Sequence, residues 1–257
     1  MLSVRSLNKQ FSAEGPLVLD SMNLEVAEGE FVSLLGPSGC GKTTLLKIVA
    51  GLLQPTQGTV LLDGKESSTP SKEKAMVFQH FNLFPWRTTI KNASYGLEVQ
   101  GVPKEERQER ARKYLKLLGL SGYENHFPSQ ISGGMKQRVG LARALATEPR
   151  LMLMDEPFGA LDALTRENLQ NELLRITESQ RLTVLFVTHS IDEAIFLSNR
   201  IVVMGRHPGR TLAEFSVPFE YPRVSTGIRA DPRFGTLRNE VWLLLEEEMK
   251  ATGAIDG

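Results

Sequence analysis

The sequence predicts an α/β protein, a mainly parallel sheet with helices on both faces, and three observations carry that expectation. Apolar runs at 151–154 and 183–187 alternate with helix-patterned stretches, as strands crossing over through helices do. A glycine-rich turn, Gly36-Pro37-Ser38-Gly39-Cys40-Gly41-Lys42-Thr43, joins the apolar run 31–35 to a helix-like stretch. The bulk composition is that of an ordinary globular chain, with 257 residues of which 41% are hydrophobic.

The elements follow in order. Runs at 17–26, 31–35 and 59–62, bounded by Gly, Asp or Glu, read as strands of a small β-rich portion around the glycine-rich turn, and a helix is expected over 44–50. The stretch 89–128 is charged, helical in period and free of β-branched runs, so it reads as a helical subdomain. In its best helix, 104–118, Ala111, Tyr114, Leu115 and Leu118 share one stripe. A helix at 134–146, a strand at 151–154, a helix at 161–180 and a strand at 183–187 complete the alternation. Beyond Gly205 the pattern weakens into Pro- and Arg-containing segments. A closing helix is expected with Asp231 as N-cap and Pro232 at its first position, its face made of Leu237, Val241, Leu244, Leu245 and Met249.

Charge and cysteine usage narrow the function classes. Thirty basic residues balance thirty acidic ones, which argues against nucleic acid as a main ligand. The single cysteine, Cys40, excludes an internal disulfide and points to a reducing compartment. No segment approaches the roughly 20 apolar residues of a bilayer span, and no charged start precedes a long apolar run. A soluble, cytosolic chain is expected, reaching a membrane only through a partner.

The residues of the turn suit phosphate. Its glycines let backbone N–H groups turn inward around phosphate oxygens, Lys42 brings a point charge, and the Thr43 hydroxyl suits Mg²⁺. The helix behind it, with Thr44 at its start, adds a positive dipole end. A second element is the buried-strand run 151–154 followed by Asp155 and Glu156. Ligands of open α/β sheets bind beyond the carboxyl ends of strands, so both acids are expected beside the phosphate loop. Asp155 would hold Mg²⁺, and Glu156 would polarise the water attacking a γ-phosphate. A third element, Ser132-Gly133-Gly134, opens a helix as a second anion-binding arrangement, although Ser132 is equally suited to a plain N-cap.

Over residues 1 to 205 the chain resembles the ATP-binding subunit of an ABC transporter. Gly36 to Thr43 resembles the Walker A motif, Gln79 the Q-loop glutamine, Ser132 to Gly134 the signature, Asp155-Glu156 the Walker B end, Ala160-Leu161-Asp162 the D-loop and His189 the switch histidine. Phe11 lies where that family has an aromatic stacking on adenine. Ile131 and Met135 depart from the usual Leu-Ser-Gly-Gly-Gln, and Gly159 replaces a frequent Ser. The resemblance implies a P-loop NTPase of ABC type in an ATPase domain over 1–205, with an N-terminal antiparallel β subdomain and an inserted helical subdomain at about 89–135. Residues 206–257 would form a short extension.

It also implies ATP and Mg²⁺ as ligands. The phosphate loop with Lys42, together with Phe11, Thr44, Ser132, Gly133, Gly134 and Asp162, would bind nucleotide. Thr43, Gln79 and Asp155 would hold the metal, and Glu156, His189, Gln79 and Lys42 would carry catalysis. Two subunits would pair head to tail, so that Ser132 to Gly134 of one reach the γ-phosphate held by the other.

Asn82-Leu83-Phe84-Pro85-Trp86 offers large apolar groups suited to a socket for a permease helix. The segments Arg206-His207-Pro208-Gly209-Arg210, Asp231 to Phe234 and Leu237 to Trp242 resemble the nitrate, sulfonate and taurine importer branch. A permease and an external solute-binding protein would then be partners, with the chain peripheral on the cytoplasmic face of a bacterial membrane. The extension is shorter than the regulatory β-domain of many sugar importers. A soluble ABC-type ATPase, such as an iron–sulfur assembly factor, is the alternative. A signalling GTPase is disfavoured by the missing Asn-Lys-x-Asp motif.

Overall fold

The computed structural model describes residues 1–206, 208–223 and 225–251. The chain divides into two compact units, 1–71 with 177 onward, and Lys72–Ile176. In chain order it begins with β1 (Leu2–Gln10), β2 (Leu17–Val26), β3 (Phe31–Leu35), α1 (Lys42–Ala50), β4 (Gln57–Leu62) and β5 (Lys65–Glu66). The second unit holds β6 (Lys74–Val77), α2 (Thr89–Ala93), α3 (Tyr95–Val99), α4 (Lys104–Leu117), α5 (Gly133–Leu145) and β7 (Leu151–Asp155). After α6 (Ala163–Gln180) come β8 (Thr183–Thr188), α7 (Ile191–Leu197), β9 (Arg200–Gly205), β10 (Arg210–Ser216), α8 (Ser225–Ala230) and α9 (Pro232–Ala251).

Two sheets organise the first unit. One is antiparallel in the order β2-β1-β4-β5. In the other, β3 runs parallel to β8 on one side and β9 on the other, and β10 adds antiparallel to β9. Every residue of β3 and β8 is buried, as expected of strands covered on both faces. Leu35 pairs with Thr188, so Gly36 and His189 leave neighbouring parallel strands at the same level.

In the second unit β6 and β7 pair in parallel, Val77 opposite Met154. The stripe expected on α4 is buried, with Ala111, Tyr114 and Leu115 inside and Leu118 closing the helix. Buried Asn92 on α2 ties down the preceding loop, its amide nitrogen donating to the carbonyls of Phe84, Arg87 and Thr88.

Five strands were not expected from the sequence: β1, the short β5, β6, β9 and β10. In β1 the apolar residues alternate with Ser, Arg, Asn and Lys, and bulges between Val4 and Leu7 break the period. The run 201–204 is the buried heart of β9, and β10 is a polar edge strand that only its pairing with β9 defines. Arg210–Ser216, beyond the weakening of the sequence pattern, therefore belong to the sheet. The terminal helix also packs on this unit. Phe234, Leu237 and Val241 of α9 join Leu35, Ala194, Ile195, Ile201 and Val203 in one buried cluster, with Leu244 and Leu245 half-buried beside it. Full burial of each large side chain there contributes about 1.5–3 kcal/mol. Among the described residues no helix is long and apolar enough to cross a membrane.

Candidate functional site

The glycine-rich turn leaves β3 with its backbone tightly crowded. A Cβ on Gly36 would stand 2.5 Å from the Met204 carbonyl oxygen and 2.9 Å from the Cys40 sulfur. Gly39 and Gly41 have φ of +82° and +93°, the left-handed region that side chains resist. Gly41 takes the N-cap position of α1, so the helix starts at Lys42, two residues earlier than the sequence predicts. No acid sits in its first turn, which leaves the positive end of the dipole uncompensated. Lys42 is buried and curls back over the turn, Nζ donating to the carbonyls of Gly36 at 2.7 Å and Pro37 at 3.0 Å. Burial pushes the Cys40 thiol up, with the nearby Lys42 charge opposing. Ser38 and Gly39 lie exposed at the tip, Pro37 beside them is half-buried, and Thr43 and Thr44 are half-buried on the first helical turn. The turn is thus wrapped around one ammonium, held by two of its own carbonyls.

Two further residues of this unit were predicted to serve nucleotide. His189 is exposed, one residue beyond β8 and one before Ser190, whose side chain caps α7 by accepting from the Glu193 N–H. The buried Thr188 hydroxyl donates to Glu193 at 2.6 Å, fastening the strand end to that helix. Phe11 is 64% exposed rather than packed in the core, with the Lys9 ammonium 5.0 Å from its ring centre.

In the second unit, the parallel register of β6 and β7 brings Gln79 and Glu156 together, each two residues beyond a paired position, with Gln79 Nε2 donating to Glu156 Oε2 at 3.4 Å. Asp155 ends β7 almost fully buried. Glu156 has φ of +44°, a conformation a non-glycine residue adopts only where its surroundings enforce it. Its carbonyl accepts from the Gly159 N–H at 3.2 Å, closing the turn that follows the strand.

Ser132 lies exposed at the N-cap of α5, its hydroxyl accepting from the Met135 N–H at 3.3 Å. The capping role and an exposed Ser-Gly surface therefore coexist. Gly133 is exposed with room around it, whereas a Cβ on Gly134 would come within 2.7 Å of the Thr165 methyl. Asp162 accepts from the Thr165 N–H at 3.0 Å at the start of α6, and that hydrogen bond holds its carboxyl below the usual range.

Sequence reasoning missed Arg143 and Gln137. Arg143 donates to the carbonyls of Asn82 at 2.7 Å and Phe81 at 3.2 Å, anchoring the segment just after Gln79. Gln137, one and a half turns earlier on α5, is buried with neither amide atom hydrogen-bonded. A polar residue at each of these helix positions would have been the signal, but both lie in a stretch where only tertiary contact tells burial from exposure. In the segment 82–86, Trp86 is 71% exposed, while Phe84 packs at a tilt against Tyr95, 4.6 Å between ring centres.

The comparison with known proteins decides what these parts belong to. The ABC transporter family model matches residues 19–159. The chain belongs to the ABC transporter family. This ABC ATPase is 51% identical over 250 residues to an uncharacterized ABC transporter ATP-binding protein of Methanocaldococcus jannaschii, covering 96% of this chain and 92% of the relative. It is 44% identical over 246 residues to the taurine import ATP-binding protein TauB of Yersinia pestis, covering 94% and 95%. Against the bicarbonate transport ATP-binding protein CmpC of Synechococcus elongatus identity is 42%, over 97% of this chain but 38% of that longer protein. Among solved structures, a dimeric bacterial ABC transporter cassette matches with TM-score 0.76 and 35% identity, over 86% of this chain and all of that one. The same cassette bound to ADP and phosphate after hydrolysis matches equally well. The fold of this ABC ATPase is thus the P-loop ABC type, an antiparallel β sheet accompanying a mainly parallel one, and the chain is an ATP-hydrolysing enzyme. His207 of the importer-like segment lies outside the described residues.

Proposed function

We propose that this ABC ATPase energises import of a small solute, such as nitrate, a sulfonate or taurine, through a separate membrane permease. It would work as a head-to-tail pair, peripheral on the cytoplasmic face of a bacterial membrane, with an external solute-binding protein delivering cargo to the permease. The observation that carries the reading is the Gly36–Thr43 turn with Lys42 folded over it. The likeness to the taurine importer's ATP-binding protein, nearly full length in both chains, supports import, and the dimeric cassette supports pairing.

The roles follow from residue chemistry. Backbone N–H groups of the Gly36–Thr43 turn, which Pro37 shapes without an N–H of its own, and Lys42 would hold the phosphates, while exposed Phe11 would offer its face to adenine. Thr43, Gln79 and Asp155 would hold Mg²⁺, which supplies charge neutralisation of the phosphates; an almost buried carboxylate such as Asp155 suits a cation. Glu156, steadied by Gln79, would orient and deprotonate the attacking water. His189 would contact the γ-phosphate, and Ser132 to Gly134 with Asp162 would complete the partner's nucleotide site across the dimer. Exposed Trp86 would meet the permease.

Two measurements test this. Glu156→Gln should nearly abolish turnover while ATP binding persists and a dimer accumulates; normal turnover would refute the assignment of the base. Affinity capture from membranes should recover a polytopic membrane protein, and recovery of soluble scaffold proteins alone would overturn transport in favour of a soluble remodelling ATPase.

A further inference from the structure

We propose that Tyr221 and Arg223, in the segment between β10 and α8, are positioning residues for His189, acting through α7; this rests on the reading of His189 as the group that meets the γ-phosphate. The helix α7 has only seven residues, too few to hold its own geometry in water, so its position is set by what grips its ends. At its start Ser190 caps it, and His189 is the residue immediately before that cap. At its end, four consecutive carbonyls are taken by the C-terminal segment. The Tyr221 hydroxyl donates to Leu197 at 2.7 Å, and Arg223 Nη1 donates to Ile195, Phe196 and Ser198 at 3.3, 3.0 and 2.9 Å.

Arg223 is itself held in place. Its Nε and Nη2 donate to the Phe219 carbonyl at 3.1 and 2.6 Å, and its guanidinium lies 4.2 Å from the Tyr221 ring centre. The side chain is buried against carbonyls, with the negative end of the α7 dipole complementing its charge. Burial pushes the Tyr221 hydroxyl up to about 12, which keeps it a donor across the working pH range. A second grip comes from α9, where Arg238 Nε meets Asp192 of the first α7 turn at 3.0 Å. The Thr188–Glu193 hydrogen bond then couples α7 to the strand end from which His189 projects. A tilt of α7 that follows loss of its C-terminal grip must therefore be absorbed at the two residues between β8 and α7, one of which is His189.

The test is a double-mutant cycle on the full-length chain, reading kcat for ATP hydrolysis and Kd for ATP separately. Tyr221→Phe removes one hydroxyl and keeps the ring, so it folds even if Arg223→Lys does not. Each should lower kcat by roughly three- to tenfold, the scale of one or two hydrogen bonds, with Kd within about twofold of wild type. In a His189→Ala background neither substitution should lower kcat further. An unchanged kcat, an effect on Kd alone, or an equal loss with and without His189 overturns the positioning role while leaving the reading of His189 intact. If His189→Ala alone leaves kcat unchanged, the reading of His189 fails and the inference falls with it.

Discussion

Gly209 presses on the Gly36–Thr43 loop more closely than any side chain would permit, and adding a single methyl group there is a sharp test of how that loop is held. A Cβ on Gly209 would stand 2.1 Å from the Cys40 carbonyl oxygen and 2.9 Å from that of Val18. Restoring the 3.4 Å of ordinary contact requires a backbone shift of about 1.3 Å. Gly209 cannot easily supply it. Its N–H donates to Val18 and its carbonyl accepts from Asp20, each at 3.0 Å, in a bridge to β2. The Cys40 carbonyl, in the middle of the loop, is then the group displaced. Overpacking of this kind costs about 1–3 kcal/mol, which for a chain of this size lowers the melting temperature by roughly 2–12 °C.

The loop shift also exceeds the ~0.5 Å within which a binding constellation must be held. Gly209→Ala is therefore expected to weaken ATP binding as well as stability. Thermal unfolding with and without Mg·ATP, beside equilibrium ATP binding, measures both. Gly235→Ala on α9, where a Cβ meets nothing within 4 Å, is the control and should melt no lower than wild type. Wild-type melting and wild-type ATP affinity in Gly209→Ala would refute the idea that the segment after β9 braces the loop.

Other outcomes follow from the same contacts. Lys42→Ala removes the ammonium that binds the Gly36 and Pro37 carbonyls and should weaken ATP binding or hydrolysis; unchanged binding and turnover would remove Lys42 from the site. The paired hydrogen bonds from Arg87 hold the Glu98 carboxyl below its ordinary 4.5. A lowered folded value means the pair stabilises above 4.5, and that contribution is lost as the pH falls through the folded value. Arg87→Met should therefore lose about 1 kcal/mol at neutral pH, with the gap in melting temperature narrowing well below pH 4.5, and a gap that stays constant would exclude the ion pair as its source.

The chemical parts were legible because they are local. The glycine-rich turn gathers its glycines, a lysine and a hydroxyl within eight residues, and Gly39 and Gly41 take the positive φ that glycine alone adopts freely. Three strands buried on both faces are equally plain, since β3, β7 and β8 are largely apolar runs, although β9, just as deeply buried, was missed. β1 and β10 were not legible: polar residues interrupt both, and only their neighbours' hydrogen bonds make them strands. The pairing of Gln79 with Glu156 also depends on register, because the two residues are 77 apart in the chain.

By itself the sequence determined the fold class, the glycine-rich turn and the order of the motifs, since each is written in a short run whose residue types have few other uses. Tertiary structure alone decided that Arg143 anchors the segment after Gln79, that Arg223 and Tyr221 grip α7, and that Gly209 lies against Cys40. Those contacts join residues from 24 positions apart, Tyr221 and Leu197, to 169 apart (209 − 40), Gly209 and Cys40. Composition carries no record of such distances; they exist only once hydrogen bonding and burial have brought the backbones together.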